Sequence, residues 1–415
     1  MKKSQEKNDK LALVGNLFTY TNHLCECTLS NPVVNGEFRN ELAIKVTDIE
    51  KRYSFAPRKG LLRTEDKKGV LESFVALKDD DINRLVKLIN SFGFIVPLPL
   101  DGKIYTIDYE IIYGILDRFK KLALLIDEMK KINISASIDG ARLDNIISLT
   151  SFLIFQNPLM IKLPNGDVLY KTIINPFYYR IRTYNSSSSI DPYELYNLNI
   201  DKRDTITEDF PLSPDCSESY EYNEHDLYNY FWSHENDLLE PDLIESKYEN
   251  DAYIFYKEIF SNLHIKRINK NGIIIFNENF SNVYGSDKDM KSRLLNIARD
   301  TIKTEFDYAL RNIHPTINVD TFSSDWIIPD FITALYFSLF YRPQKDIFRV
   351  CANPNCKGSG LFTVSDTDNK RKRYCCKKCQ NSAAQTRYLA TDEGKKKAAE
   401  RRKNAKNNKD QQKMQ

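Results

Sequence analysis

The chain reads as a mainly α protein with small β-hairpins, an α+β class: a helical N-terminal body followed by a C-terminal treble-clef zinc finger. Three observations predict this. Apolar stripes recur at helical spacing on both sides of the irregular stretch 185–251. Five of the eight cysteines fall between Cys351 and Cys379. Basic charge gathers at that same end: residues 341–415 carry 20 Lys and Arg against 7 Asp and Glu, although the whole chain is only +3.

Such a length predicts more than one folded unit, divided here at 1–184 (body), 185–251 (acidic insert or linker), 252–345 (continuation of the body), 346–390 (finger) and 391–415 (basic tail). The hydrophobic share, 41 %, suffices for packed cores. Met1–Lys10 is charged and Leu11–Val14 is too short for a signal-peptide core, so no secretory leader is expected. With no membrane-length apolar run and no disulfide-like cysteine framework, the expected setting is the reducing cytoplasm.

The polar opening leads to a segment, up to Asp101, of short apolar runs mixed with charge. Within it, Lys78–Phe92 places Ile82, Leu85, Val86 and Ile89 on one helix face behind three acids, and Gly93 stops it. A stripe of Ile111, Ile115, Phe119, Leu122, Ile126 and Met129 predicts a helix over Ile107–Lys131. Leu143, Ile146, Ile147, Thr150 and Ile154 predict another over Asp139–Gln156, packed against the first. Leu159–Tyr170 surrounds Pro-Asn-Gly-Asp, a hairpin signal, because Asn-Gly tolerates the positive φ of a tight turn.

Asn185–Asp251 holds 18 acids against Lys202, Arg203 and Lys247, with no sustained period, and reads as irregular. Helix resumes at Ala252–Leu263, Gly272–Phe276 is strand-like, and Asp287–Ile313 forms a helix capped by Ser286. Trp326–Tyr341, apolar on most sides, predicts a buried helix that feeds through Pro343 into a finger docked on the body.

The finger carries the chemistry. Cys351-Ala-Asn-Pro-Asn-Cys356 is a turn-like knuckle; Leu361–Val364 and Arg371–Tyr374 suit the two strands of a hairpin, and Cys375–Arg387 a helix. Two thiolates from the knuckle and two from the helix start make a four-coordinate structural zinc site, closed to water. Spacing alone leaves either Cys375 or Cys376 as the partner of Cys379, beside Cys351 and Cys356.

Tyr374-Cys375-Cys376-Lys-Lys-Cys379 resembles the Tyr/Phe-Cys-Ser-x-x-Cys element of bacterial treble-clef fingers. That resemblance puts Cys376 in the serine's place and implies Cys375 as the ligand. More closely, Cys351, Cys356, Phe362, Arg373-Tyr374-Cys375, Cys379-Gln380-Asn381-Ser382 and Arg387-Tyr388 are similar to the CGNR-type zinc finger at the C-terminus of bacterial transcription regulators. The likeness spans about 50 residues. It departs after the fourth cysteine, where Gln-Asn-Ser replaces Gly-Asn-Arg and only the asparagine is kept. The resemblance implies a structural zinc ion and a DNA-binding regulatory role.

Around the cysteines, Lys370, Arg371, Lys372, Arg373, Lys377, Lys378 and Arg387 precede Lys395, Lys396, Arg401 and Arg402 on a second helical run begun by Thr391-Asp392-Glu393. Such a density of cations suits a phosphate backbone. Nucleic acid, DNA in the first place, is therefore the expected partner. The competing expectation is a protein-interaction role in which the zinc is only a staple and the acidic insert or the body meets a protein. His23-Leu-Cys25-Glu-Cys27, His225 and His234 lack metal-site spacing, and no phosphate-cradling glycine loop or nucleophile elbow is present, so no enzyme is expected.

Overall fold

In the computed structural model the described residues are 18–30, 33–34, 37–38, 40–56, 60–65, 69–77, 81–134, 139–173, 247–268, 274–318, 323–342, 347–353, 355–356, 361–364, 372–397 and 400. The acidic stretch up to residue 246, with His225, His234 and Cys216, lies outside them, as do Lys370, Arg371, Arg401 and Arg402.

The fold is α+β, and its largest sheet lies where only short apolar runs were expected. Strand β1 (Thr19–Ser30) pairs antiparallel with β4 (Glu41–Ala56), and the short strands β2 (Val33–Val34) and β3 (Glu37–Phe38) pair with each other in between. The other edge of β4 is shared: its end takes β5 (Gly60–Arg63) and its beginning takes β6 (Ile104–Asp108). Alternation explains each half of the strand, since Leu42, Ile44 and Val46 are buried, as are Tyr53 and Phe55, while Lys45, Arg52 and Ser54 between them are not; the pairing with β1 is irregular between the two halves. Ile107 therefore lies on β6, and the helix expected to begin there starts two residues later.

Helix α1 (Leu71–Val75) precedes α2 (Ile82–Phe92), whose N-cap is Asp81 accepting from the Arg84 amide at 3.1 Å. Gly93 ends α2 at φ +85°, where a Cβ would collide with the His23 carbonyl and the Asn22 amide. The Asn22 amide in turn donates to Phe92 and Phe94 carbonyls at 3.0 and 3.1 Å, and Tyr53 Oη to Phe92 O at 2.8 Å, so the turn is clasped to the sheet.

Helix α3 (Tyr109–Ile134) buries Ile115, Phe119 and Leu122, and α4 (Gly140–Phe155) packs on it behind its cap Asp139. The hairpin follows as β7 (Met160–Lys162) against β8 (Val168–Lys171), with Gly166 at φ +94°. Helix α5 (Lys247–Leu263) begins before the expected division at 251/252 and runs through it. After β9 (Ile265–Ile268), β10 (Ile274–Phe276) and α6 (Phe280–Tyr284) comes α7 (Lys288–Leu310). Its cap is Asp287, not Ser286: the carboxylate accepts from the Asp289 and Met290 amides at 2.9 and 3.0 Å.

A hairpin of β11 (His314–Asn318) and β12 (Ser323–Ile327) occupies the start of the helix expected from Trp326. Pro329 intervenes, and α8 (Phe331–Phe340) begins only at the Asp330 cap. Apolar all round, α8 is buried throughout its first nine residues, between the sheet, α1 and α7. Its Ser338 hydroxyl accepts from the Leu61 amide at 2.8 Å. Arg118 of α3, almost wholly buried, binds Glu305 of α7 through Nε at 3.1 Å and also through Nη2. It further donates to Gln156 at 3.0 Å and Leu153 O at 2.7 Å. One hydrophobic cluster thus runs from Phe18 to Phe348 across both sides of the acidic stretch.

Candidate metal centre

The cysteine module leaves α8 through Arg342 and starts with β13 (Ile347–Val350), which pairs antiparallel with β14 (Leu361–Val364). This differs from the expected hairpin of Leu361–Val364 with Arg371–Tyr374: residues 372–374 form no strand, and Arg371 is outside the described residues. The downstream segment instead closes on the knuckle by the Ala352 amide donating to Arg373 O at 2.8 Å. Asn353, buried, shapes the knuckle itself, its carbonyl accepting from the Cys356 amide at 3.0 Å and its side chain from the Asn355 amide at 3.2 Å.

Helix α9 (Lys377–Ala390) then brings in Cys379, while Cys375 stands just ahead of the helix and Cys376 occupies its N-cap position. The expected arrangement of both ligands within one helical turn is therefore relaxed to one on the helix and one on its lead-in.

The sulfurs of Cys351, Cys356, Cys375 and Cys379 all lie within 4.8 Å of one another. Cys375 and Cys379 are 3.4 Å apart, Cys379 and Cys356 3.5 Å, and Cys356 and Cys375 3.7 Å. A tetrahedron with metal–sulfur bonds of about 2.3 Å has edges of about 3.8 Å, so the four thiols surround a space that one metal ion fits. Cys376 is exposed and outside this set, although its sulfur lies 3.9 Å from that of Cys375.

The chemistry of the donor set agrees. Burial, followed by the neighbouring thiols Cys379, Cys351 and Cys356, pushes the Cys375 thiol far above its ordinary range. Ionising such a crowded thiol needs a cation to balance it, and four thiolates select a soft or borderline ion over calcium or magnesium. The site can hold a metal ion.

Phe362 and Val364 form the small apolar floor with three of the thiols, and Tyr374 and Ile347 pack against it. The module is fastened to the body by a carboxylate. Asp127 of α3, almost fully buried, accepts from the Phe348 backbone amide and from Arg342 Nη1 at 3.3 Å, while the Arg342 guanidinium lies 3.6 Å from the centre of the Phe348 ring. Burial holds the Asp127 pKa above its ordinary value despite these partners. Nothing in the α3 stripe singled out this residue, because its partner Phe348 lies 221 positions away. Beside the contact, a cleft of about 390 Å³ is lined by Asp127, Lys131, Phe348, Arg349, Lys372 and Arg373.

The expected phosphate-binding residues divide. Arg373, Lys377, Lys378, Lys395 and Lys396 are exposed. Lys372 is half-buried with its ammonium over the Phe362 ring, and Arg387 turns back to Ala383 O at 3.3 Å and Tyr374 Oη at 3.4 Å. Residues 392–397 are helical as expected, but Lys395 pairs with Asp392 at 3.5 Å and Lys397 with Glu393 at 2.8 Å. At the other end of the chain, Cys25 and Cys27 are buried in the sheet and His23 lies 3.5 Å from Glu50, so these residues form no metal cluster.

No family model, no curated protein and no solved structure matches this chain. No helix among the described residues is long and apolar enough to cross a membrane.

Proposed function

We propose that Cys351, Cys356, Cys375 and Cys379 hold a structural zinc ion and that the module so built binds nucleic acid, duplex DNA, in a regulatory role. The observation that carries the second part is the cation set around the thiols. Arg373, Lys377, Lys378 and Lys396 are exposed and, among the described residues, have no ion-pair partner. Four thiolates leave no open coordination position, so the metal supplies rigidity rather than catalysis. The treble-clef assignment and the likeness to CGNR-type fingers belong to the same reading and rest on the residues that carry them.

The rival role, a finger serving only as a staple, draws on the tight contact of β13 with Asp127. One titration separates the two. Fluorescently labelled duplex DNA is added to the full-length, zinc-loaded chain between about 50 and 200 mM salt. Nucleic-acid binding gives a log K falling linearly with log salt, at about 0.9 per phosphate contact, and Lys377→Glu with Lys378→Glu lowers both affinity and slope. Affinity that is absent, or indifferent to those two charges, leaves the staple reading standing.

A further inference from the structure

Among the described residues, nothing covers one face of helix α9. Its inward side is short: Cys379 and Ala383 are buried and Ser382 is half-buried. Opposite them, at 3.6 residues per turn, Lys377, Asn381, Ala384, Gln385 and Tyr388 form one stripe, flanked by Lys378 and Gln380, and all are exposed. Among the described residues, the side-chain amides of Gln380, Asn381 and Gln385 make no hydrogen bond. A helix docking on a protein through this face would want apolar anchors along it; here the stripe is a lysine, two amides and an alanine, and the exposed large apolar residues Tyr388 and Leu389 come only at the helix end.

We infer that α9 is a base-reading helix that enters the major groove of duplex DNA, with Asn381 and Gln385 contacting A·T base pairs. The inference rests on the nucleic-acid reading above and deepens it. An amide offers a donor and an acceptor side by side, the pattern that adenine N7 and N6 complement in the major groove, while a small methyl such as that of Ala384 fits beside a thymine methyl. Asn381 and Gln385 are four residues apart, one turn, so they address neighbouring base pairs.

The surroundings fit the same occupant. Arg373, Lys377 and Lys378 cluster at the start of α9, and Lys395 and Lys396 follow its end, so cations bracket the amides as phosphates bracket a groove. Fourteen residues make α9 about 21 Å long, and the B-form major groove is about 12 Å wide, enough to admit a helix. The deep, narrow major groove of A-form RNA is not.

The test uses the full-length, zinc-loaded chain and three randomised pools, duplex DNA, single-stranded DNA and hairpin RNA, with bound molecules sequenced. The expected result is retention of duplex DNA with a short A·T-containing motif enriched. Asn381→Ala and Gln385→Ala should each reduce discrimination between that motif and a scrambled duplex by about 5- to 150-fold while leaving the salt slope on scrambled duplex unchanged. Both positions are exposed and alanine favours helix, and an unaltered cobalt–thiolate absorption band confirms an intact centre. Salt-dependent binding without an enriched motif, discrimination that survives both substitutions, or preference for RNA or single strands overturns the base-reading assignment and spares the broader one. No retention of any pool overturns both.

Discussion

From Phe18 to Phe348 a single apolar cluster runs through sheet and helices, with α8 and the Arg118–Glu305 pair near its middle. Beyond Val350 the buried side chains change character: Cys351, Cys356 and Cys379 with Phe362 and Val364 make up the second cluster. The body can exclude water with its own side chains. The module is too small to do so, and a chain of that size is ordered by cross-links, here four thiols drawn to one point. The two regions should therefore fail under different insults, and the experiments that follow separate them.

The largest effect belongs to the proposed zinc ion. Zinc-thiolate binding in small fingers supplies about 10–16 kcal/mol of folding free energy. Cys356→Ser or Cys379→Ser should abolish stoichiometric zinc in metal analysis of the purified chain, whereas Cys376→Ser should retain it. The body's main thermal transition should persist in all three. Loss of that transition in the ligand variants would show the two regions to be one cooperative unit.

Next comes the buried pair in the body. Glu305→Ala strands the Arg118 guanidinium, and a buried charge without its partner costs about 3–5 kcal/mol. Denaturant melts should record that loss while zinc content stays constant; a fall in zinc content would break the separation from the opposite side. Smaller again is Gly93→Ala. The alanine must hold φ +85° against the His23 carbonyl, a strain of about 1–3 kcal/mol in the same melts. An unchanged midpoint would mean that the sheet and α2 yield at this turn.

The smallest concerns alkali. Burial, then the neighbouring Cys25, raises the Cys27 thiol from 9.0 to about 12. A raised folded value keeps the proton in the native state, so its stabilisation is complete below pH 9 and is lost as pH rises towards 12. Cys27→Ala should lower the melting temperature at neutral pH and flatten its decline over that window. An unaltered decline would assign the alkaline sensitivity to other buried groups, the Tyr20 hydroxyl first, which burial also raises.

Docking links the two regions, and Asp127 makes the link with a raised pKa. For a carboxyl raised in the folded state, stability is greatest below its ordinary value of 3.8 and falls as pH rises through the folded value. Asp127→Asn keeps much of the shape and removes that dependence, which pH-resolved melts of the two chains would reveal.

Much of this architecture is legible in residue order. Asp139 and Gln156 bracket α4, Gly93 and Gly166 mark their turns, and the α3 stripe lies on the buried side, because caps, glycine conformations and a 3.6-residue period act over a few neighbours. The β1–β4 sheet is not among the sequence expectations: Leu42, Ile44 and Val46 do alternate, but a period of two over three apolar residues is a weak signal. Trp326 misled in the opposite direction: an apolar run before Pro329 continues the helical pattern on paper while the backbone pairs as a strand.

At the centre the same boundary holds. Spacing brings five thiols to one region and shows that two must come from each end. Which of the adjacent Cys375 and Cys376 joins the other three depends on where α9 begins and on the knuckle opposite, and in the fold Cys375 lies against Cys356 while Cys376 is exposed at the helix N-cap. Asp127 reaches Phe348 across 221 residues of chain. Short-range order is written in local hydrogen bonds and periodicity; contacts between distant segments depend on how whole elements pack, and only the folded chain brings them together.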